Sequence, residues 1–362
     1  MGRAWREAER LEGDRAWAAA GGAWMAIAEA AWAKKDLVRA RDAASRAGDA
    51  WRREDQPARA AKALKLAWDA GRRGAMDTAL LAAVMLDAGQ ADVAMDLVAG
   101  VEGGEPAGQA LLLDTRLGLS IALGRVDEAR ADLEALDALN LPAAGIARVF
   151  RQAQLDRLDG LLERADQGFA AVATALFGME RAAGPAAAAM AERGELALLV
   201  ATLGGGSAAD ALPHLLGAAA GWKAAARAGP AQRAQAWVLR ARAEAGEEVL
   251  ASPILDWARG ADERGVPLLA ADLRVCHAVA TRDPGGLEGV ILTLERAPLA
   301  RGRVRVIQAE LGGPADLDRA LDEVVIDAPW SARALLALGQ REGDEGMMAE
   351  ARGRMAVILG LG

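Results

Sequence analysis

The chain has 362 residues, a formal net charge of −8 at pH 7 and 53% hydrophobic residues, with aromatics at only 4%. An acidic surplus of this size argues against nucleic acid as the main partner, because such binding needs a basic field. One cysteine, Cys276, excludes an internal disulfide and any cysteine-based metal cluster, and it suits a reducing compartment.

Much of the apolar content is alanine, the best helix former, and there is no tyrosine. Strands favour β-branched and aromatic residues, so this composition points to closely packed helices. Of the 43 basic residues only five are lysine, and asparagine occurs once, at Asn140, a bias expected of a G+C-rich bacterial genome. Residues 1–75 carry 16 Lys+Arg against 11 Asp+Glu, and residues 76–160 carry 6 against 14. Solvated helix surface accounts for such charge runs. The opening MGRAWREAERLEG lacks the apolar core of a signal peptide. The longest mostly apolar stretch, 196–222, is broken by Gly-Gly-Gly-Ser, Asp210, Pro213 and His214, so no membrane span is expected. A cytoplasmic protein is the expectation.

Taken in chain order, the first helical signal is Trp24-x-x-Ile27-Ala28-x-x-Ala31, followed by Ala40, Ala44 and Ala47. Helices are predicted at 36–53 and 57–70, the latter opening on Pro57, which a first turn tolerates. Three segments then share a glycine turn and an alanine at fixed offset. They are Gly89 with Ala94, Gly124 with Ala129, and Gly160 with Ala165, the glycines lying 35 and 36 residues apart. Four residues after each alanine stands Val98, Leu133 or Phe169, and three further on Val101, Leu136 or Val172. Spacings of four and three place these on one helical face. Each such helix follows another predicted at 78–88, 111–123 and 146–158. Glycine at the junction permits the positive φ that ends the first helix. Gly204-Gly205-Gly206-Ser207 reads as a hinge between regions 1–203 and 207–362. Beyond it, helices are predicted at 208–228, 231–245, 254–264, 268–281, 287–296, 304–311, 317–325, 331–340 and 347–359.

This pattern resembles the tetratricopeptide repeat, a helix-turn-helix unit of about 34 residues with fixed small and large positions. The match is clearest over residues 20–175, although Ala31 stands where the family's first helix usually has an aromatic residue. The stretch 261–279 is similar to repeat domains of bacterial transcriptional activators and large sensor ATPases. The resemblance implies an all-α fold, a right-handed α-solenoid of antiparallel helix pairs. Some family members grip a C-terminal carboxylate with a Lys/Asn clamp on the concave face. The matching positions here are Met76, Ala79, Leu111, Asp114, Phe150 and Arg151, so that clamp is absent.

The inventory for catalysis is thin. There are two histidines, His214 and His277, and the latter adjoins Cys276. Neighbours on a helix point about 100° apart, so these two form no nucleophile–base pair. No glycine precedes any of the five lysines, which removes a P-loop, and no GxSxG or HExxH is present. Neither a catalytic residue, a metal site nor a cofactor is expected.

Two groups are candidates for partner binding. Arg148, Arg151, Gln154 and Arg157 recur at intervals of three on the helix 146–158, a stripe that either is solvated or receives an acidic peptide. Trp17, Trp24 and Trp32, seven and eight apart, read either as core or as an aromatic contact surface. The leading expectation is a non-enzymatic protein-protein interaction scaffold that binds a peptide or protein face in the concave groove. The alternatives are a regulatory, inhibitory subunit of an effector enzyme such as a protease or kinase, and a ligand-sensing helical-repeat module. No nucleic-acid or membrane partner is expected.

Overall fold

A computed structural model describes residues 2–101, 104–179 and 182–361. Among the described residues there are twenty α-helices, and no strand is present. The first ten are α1 (Arg3–Gly13), α2 (Trp17–Ala33), α3 (Leu37–Arg53), α4 (Pro57–Asp69), α5 (Ala75–Asp87), α6 (Ala91–Ala99), α7 (Pro106–Ala122), α8 (Val126–Ala138), α9 (Gly145–Leu158) and α10 (Leu162–Leu176). The second ten are α11 (Ala183–Thr202), α12 (Leu212–Ala224), α13 (Ala228–Glu244), α14 (Ser252–Glu263), α15 (Pro267–Thr281), α16 (Leu287–Thr293), α17 (Pro298–Glu310), α18 (Leu317–Glu323), α19 (Ala328–Glu342) and α20 (Glu345–Ile358). None is long and apolar enough to cross a membrane.

The turn between paired helices is built the same way each time. Gly89, Gly124 and Gly160 sit at φ of 75°, 75° and 79°. The next residue's N–H reaches back to close the helix: Gln90 to Met85, Arg125 to Ser120 and Leu161 to Asp156, at 2.7 to 2.8 Å. This satisfies the last carbonyls of the first helix and reverses the chain. At other junctions the same bond forms with Lys35, Asp55 or Ala226 in the left-handed position. At Lys35 and Asp55 the bounds predicted at 36, 53 and 57 bracket the turn; at Ala226 no glycine marks it, since side chains normally disfavour positive φ. For the same reason the helix predicted at 208–228 is shorter, giving way at Ala226, whereas α17 begins six residues before its predicted start at 304 because Pro298 opens its first turn.

Successive helices pack on one another through small and apolar side chains. Ala94, Ala129, Ala165 and Phe169 are all fully buried, as the repeat register requires. The chain also returns to itself. Leu117, Leu155 and Leu158 share a core with Leu299, Val306 and Leu338. Phe169 and Leu203 lie in a second core with Met355. The two regions expected to meet at residues 204–207 thus share hydrophobic cores. The turn itself is capped: the Asp210 carboxylate accepts the Ser207 N–H at 2.9 Å, and the Ser207 hydroxyl accepts the Ala209 N–H at 3.2 Å. A Cβ on Gly205 would come 2.5 Å from a Leu359 methyl, so the glycine admits close approach of α20.

Candidate functional site

From α7 to α15, alternate helices present side chains of alternating charge to one another. Asp114 on α7 accepts from Arg151 Nε on α9 at 2.8 Å. Arg157, two turns on, donates to Glu192 of α11 at 2.7 Å, and Gln154 donates to the other oxygen of that carboxylate at 2.8 Å. Glu195, one turn along α11, meets Arg233 of α13 at 2.8 Å. Arg233 reaches forward as well, its Nε donating to Asp272 of α15 at 2.8 Å, where the Trp237 indole N–H also donates at 2.8 Å. Further on, Arg303 of α17 pairs with Asp327, the N-cap of α19, and Arg333 of α19 pairs with Glu310 at the end of α17. Most of these bonds join residues 35 to 39 apart, one repeat of the chain.

Burial and neighbours divide the acids. For Glu192, burial opposes ionisation, but Arg157, the Gln154 hydrogen bond and Arg233 outweigh it and hold its carboxyl below the usual value. Burial pushes the Glu195 carboxyl up; Arg233 counters this, while Glu192 and Asp272 add like-charge repulsion. Arg233, between two carboxylates, is held charged against its own burial.

Between α11, α13, α15, α17 and α19 lies a partly open cavity of about 310 Å³. Its apolar wall includes Leu199, Val275, Leu299, Val304 and Ile307. Trp237 and Trp330 line it too, each with a guanidinium over its ring: Arg240 at 4.8 Å and Arg333 at 4.0 Å. Two wider clefts share its walls. One, about 820 Å³, is bounded by Arg240, Glu244, Glu310 and Arg333. The other, about 570 Å³, meets it at Glu195, Arg233, Trp237 and Asp272 and extends to Asp55, Asp87 and Arg227.

The residues singled out from the sequence separate into several environments. Arg151, Gln154 and Arg157 belong to the ladder, each already bonded to an acid or amide. Arg148 turns the other way, to Asp137 of α8 at 3.0 Å. The tryptophans of α2 do not make one outward stripe. Trp24 is fully buried, edge-on to Trp5 with ring centroids 4.7 Å apart and with its N–H donating to Glu12. Trp17 is half-buried beneath Arg53, and only Trp32 is exposed. A contact surface through Trp24 is therefore corrected to a core position, because α1 packs over that face of α2. Cys276 is fully buried in the core between α13, α14 and α15.

Sequence reasoning passed over Glu192, Glu195, Arg233, Trp237, Arg240, Asp272, Trp330 and Arg333. A signal for some of them exists: Arg233, Trp237 and Arg240 repeat at four and three on an otherwise alanine-rich helix. Compared with known proteins, the chain matches no protein-family model and no curated protein.

Proposed function

We propose that this chain is a non-enzymatic binding module, a right-handed α-solenoid of antiparallel helix pairs of the tetratricopeptide kind, whose inner face takes a small ligand. The observation that carries this is the partly open cavity of about 310 Å³ beside the ion-pair ladder. Its size falls at the lower end of the roughly 300 to 1,000 Å³ of small-molecule pockets. A long peptide in a concave groove needs an open row of unpaired side chains. Here Arg151, Arg157 and Arg233, which would have to grip it, are engaged by Asp114, Glu192, Glu195 and Asp272. The repeat spacing of those bonds supports a reading as stacked helical repeats, and the cores that Leu117 shares with Leu299 and Phe169 with Met355 mean that the array also folds back on itself.

The test pairs two measurements on the full chain. A thermal-shift screen against a panel of small metabolites should find at least one compound that raises the melting temperature, as any ligand selective for the folded state must. A pull-down from a host lysate should be compared between the natural chain and Val275→Trp, which fills the cavity. Loss of any ligand effect in Val275→Trp supports the reading. If no metabolite acts and a stoichiometric protein partner binds both chains equally, the protein scaffold or the regulatory subunit takes its place.

A further inference from the structure

The cavity wall is chemically lopsided. Five arginines line it, against the three carboxylates of Glu195, Asp272 and Asp327. All three acids are already occupied: Glu195 by Arg233, Asp272 by Arg233 and Trp237, and Asp327 by Arg303. Two of the arginines stand differently. Arg240 and Arg333 line both the cavity and its wider mouth, and their partners Glu244 and Glu310 belong to the mouth alone. Arg240 is bonded only through Nε, so both its terminal nitrogens lack a protein acceptor among the described residues; Arg333 keeps Nη1 in the same condition. Both side chains are at most 5% exposed, and both line the cavity. Arg157, also in the lining, has its Nε buried with no partner among the described residues.

A guanidinium held by stacking on an indole and by one carboxylate keeps its remaining N–H groups in a fixed plane. That geometry matches an oxyanion. Behind it the wall is aliphatic, with Leu198, Leu199, Val275, Leu299, Val304 and Ile307. We infer that the cavity binds a small organic carboxylate, with its oxygens at Arg240 and Arg333 and its apolar body directed inward between Trp237 and Trp330. This rests on the binding-module reading and adds the chemical class of the ligand.

The probes are 4-phenylbutyrate, its primary amide and the corresponding amine, titrated calorimetrically into the full chain. They share one apolar body and differ in charge. The carboxylate should bind one per chain, with the amide and amine weaker by about tenfold or more. Arg240→Gln and Arg333→Gln should each weaken the carboxylate by about tenfold and leave the amide unchanged. Val275→Trp should abolish binding of all three, while Arg148→Gln, outside the cavity, should alter nothing. Circular dichroism of each variant separates lost binding from lost folding, and the three-probe comparison on the natural chain stands without any variant. Equal binding of carboxylate and amide, or tighter binding of the amine, overturns the anion assignment; if Val275→Trp removes that binding, the module reading survives. Carboxylate binding that persists in Val275→Trp overturns the site. Absence of binding by all three probes overturns the inference, and a metabolite screen without a hit removes the module reading as well.

Discussion

The Asp55 carboxylate accepts the backbone N–H of Gly229 at 2.5 Å, joining residues 174 apart in the chain. Asp55 sits at positive φ in the turn between α3 and α4, and Gly229 lies in the first turn of α13. Arg227 approaches the same carboxylate at 3.3 Å. An acid at a helix N-terminus meets free N–H groups and the positive end of the helix dipole. One side chain thereby ties an early turn to a late helix.

Asp55→Ala removes both bonds and is expected to destabilise the fold by about 1–3 kcal/mol. Gly229→Ala tests the same contact sterically, since its Cβ would fall 2.3 Å from the Asp55 carboxylate. Urea unfolding of both variants measures the effect. Stabilities equal to the natural chain would show that this tie adds nothing.

Asp87 predicts a pH dependence. It borders the 570 Å³ cleft, open to water there yet surrounded by protein, and burial raises its carboxyl to about 6 against Arg227 and Arg52, with Asp55 adding repulsion. The folded value lies above the ordinary 3.8, so the folded chain holds this proton more tightly than the unfolded one. Its contribution is complete below about pH 4 and is lost as the pH rises through 6. Asp87→Asn should therefore match the natural chain in melting temperature near about pH 4 and exceed it near about pH 8. A constant difference across that range would contradict the assignment.

The ladder predicts strong coupling. Arg157→Met leaves Glu192 without its cation and should cost about 3 kcal/mol, because an uncompensated buried charge is worse than none. Adding Glu192→Met should recover much of the loss. A double-mutant cycle by denaturant unfolding gives the interaction directly. Additive single changes would mean that the pair is energetically silent.

Ala129 lies at 0% exposure where α8 meets its neighbours. Ala129→Leu should destabilise by about 1–3 kcal/mol through overpacking. An unchanged unfolding midpoint would mean that the stack yields at this position.

Cys276 is buried, and burial drives its thiol pKa well up, with Asp272 adding repulsion. The thiolate is the reactive form. A thiol reagent at neutral pH should leave the native chain unmodified and label one site after denaturation. Rapid labelling of the folded chain would contradict the burial.

Local pattern by itself determined that the chain is helical and where most helices lie. Alanine content, the spacing of Val98, Leu133 and Phe169, and the glycine turns at 89, 124 and 160 are short-range features, and a helix is closed by bonds within four residues. Where the turn used Ala226 that signal vanished, because the same backbone form arose without its usual residue, whereas the turns at Lys35 and Asp55 still fell between predicted helices. The basic stripe was legible as a spacing, but its meaning was not. Whether Arg157 meets solvent or Glu192 depends on how two helices 35 residues apart are set side by side. Tertiary packing decided that, and with it the burial of Trp24, the tie from Asp55 to Gly229 and the cavity between Trp237 and Trp330. Each of these depends on surfaces from distant segments excluding water together, which local periodicity does not encode.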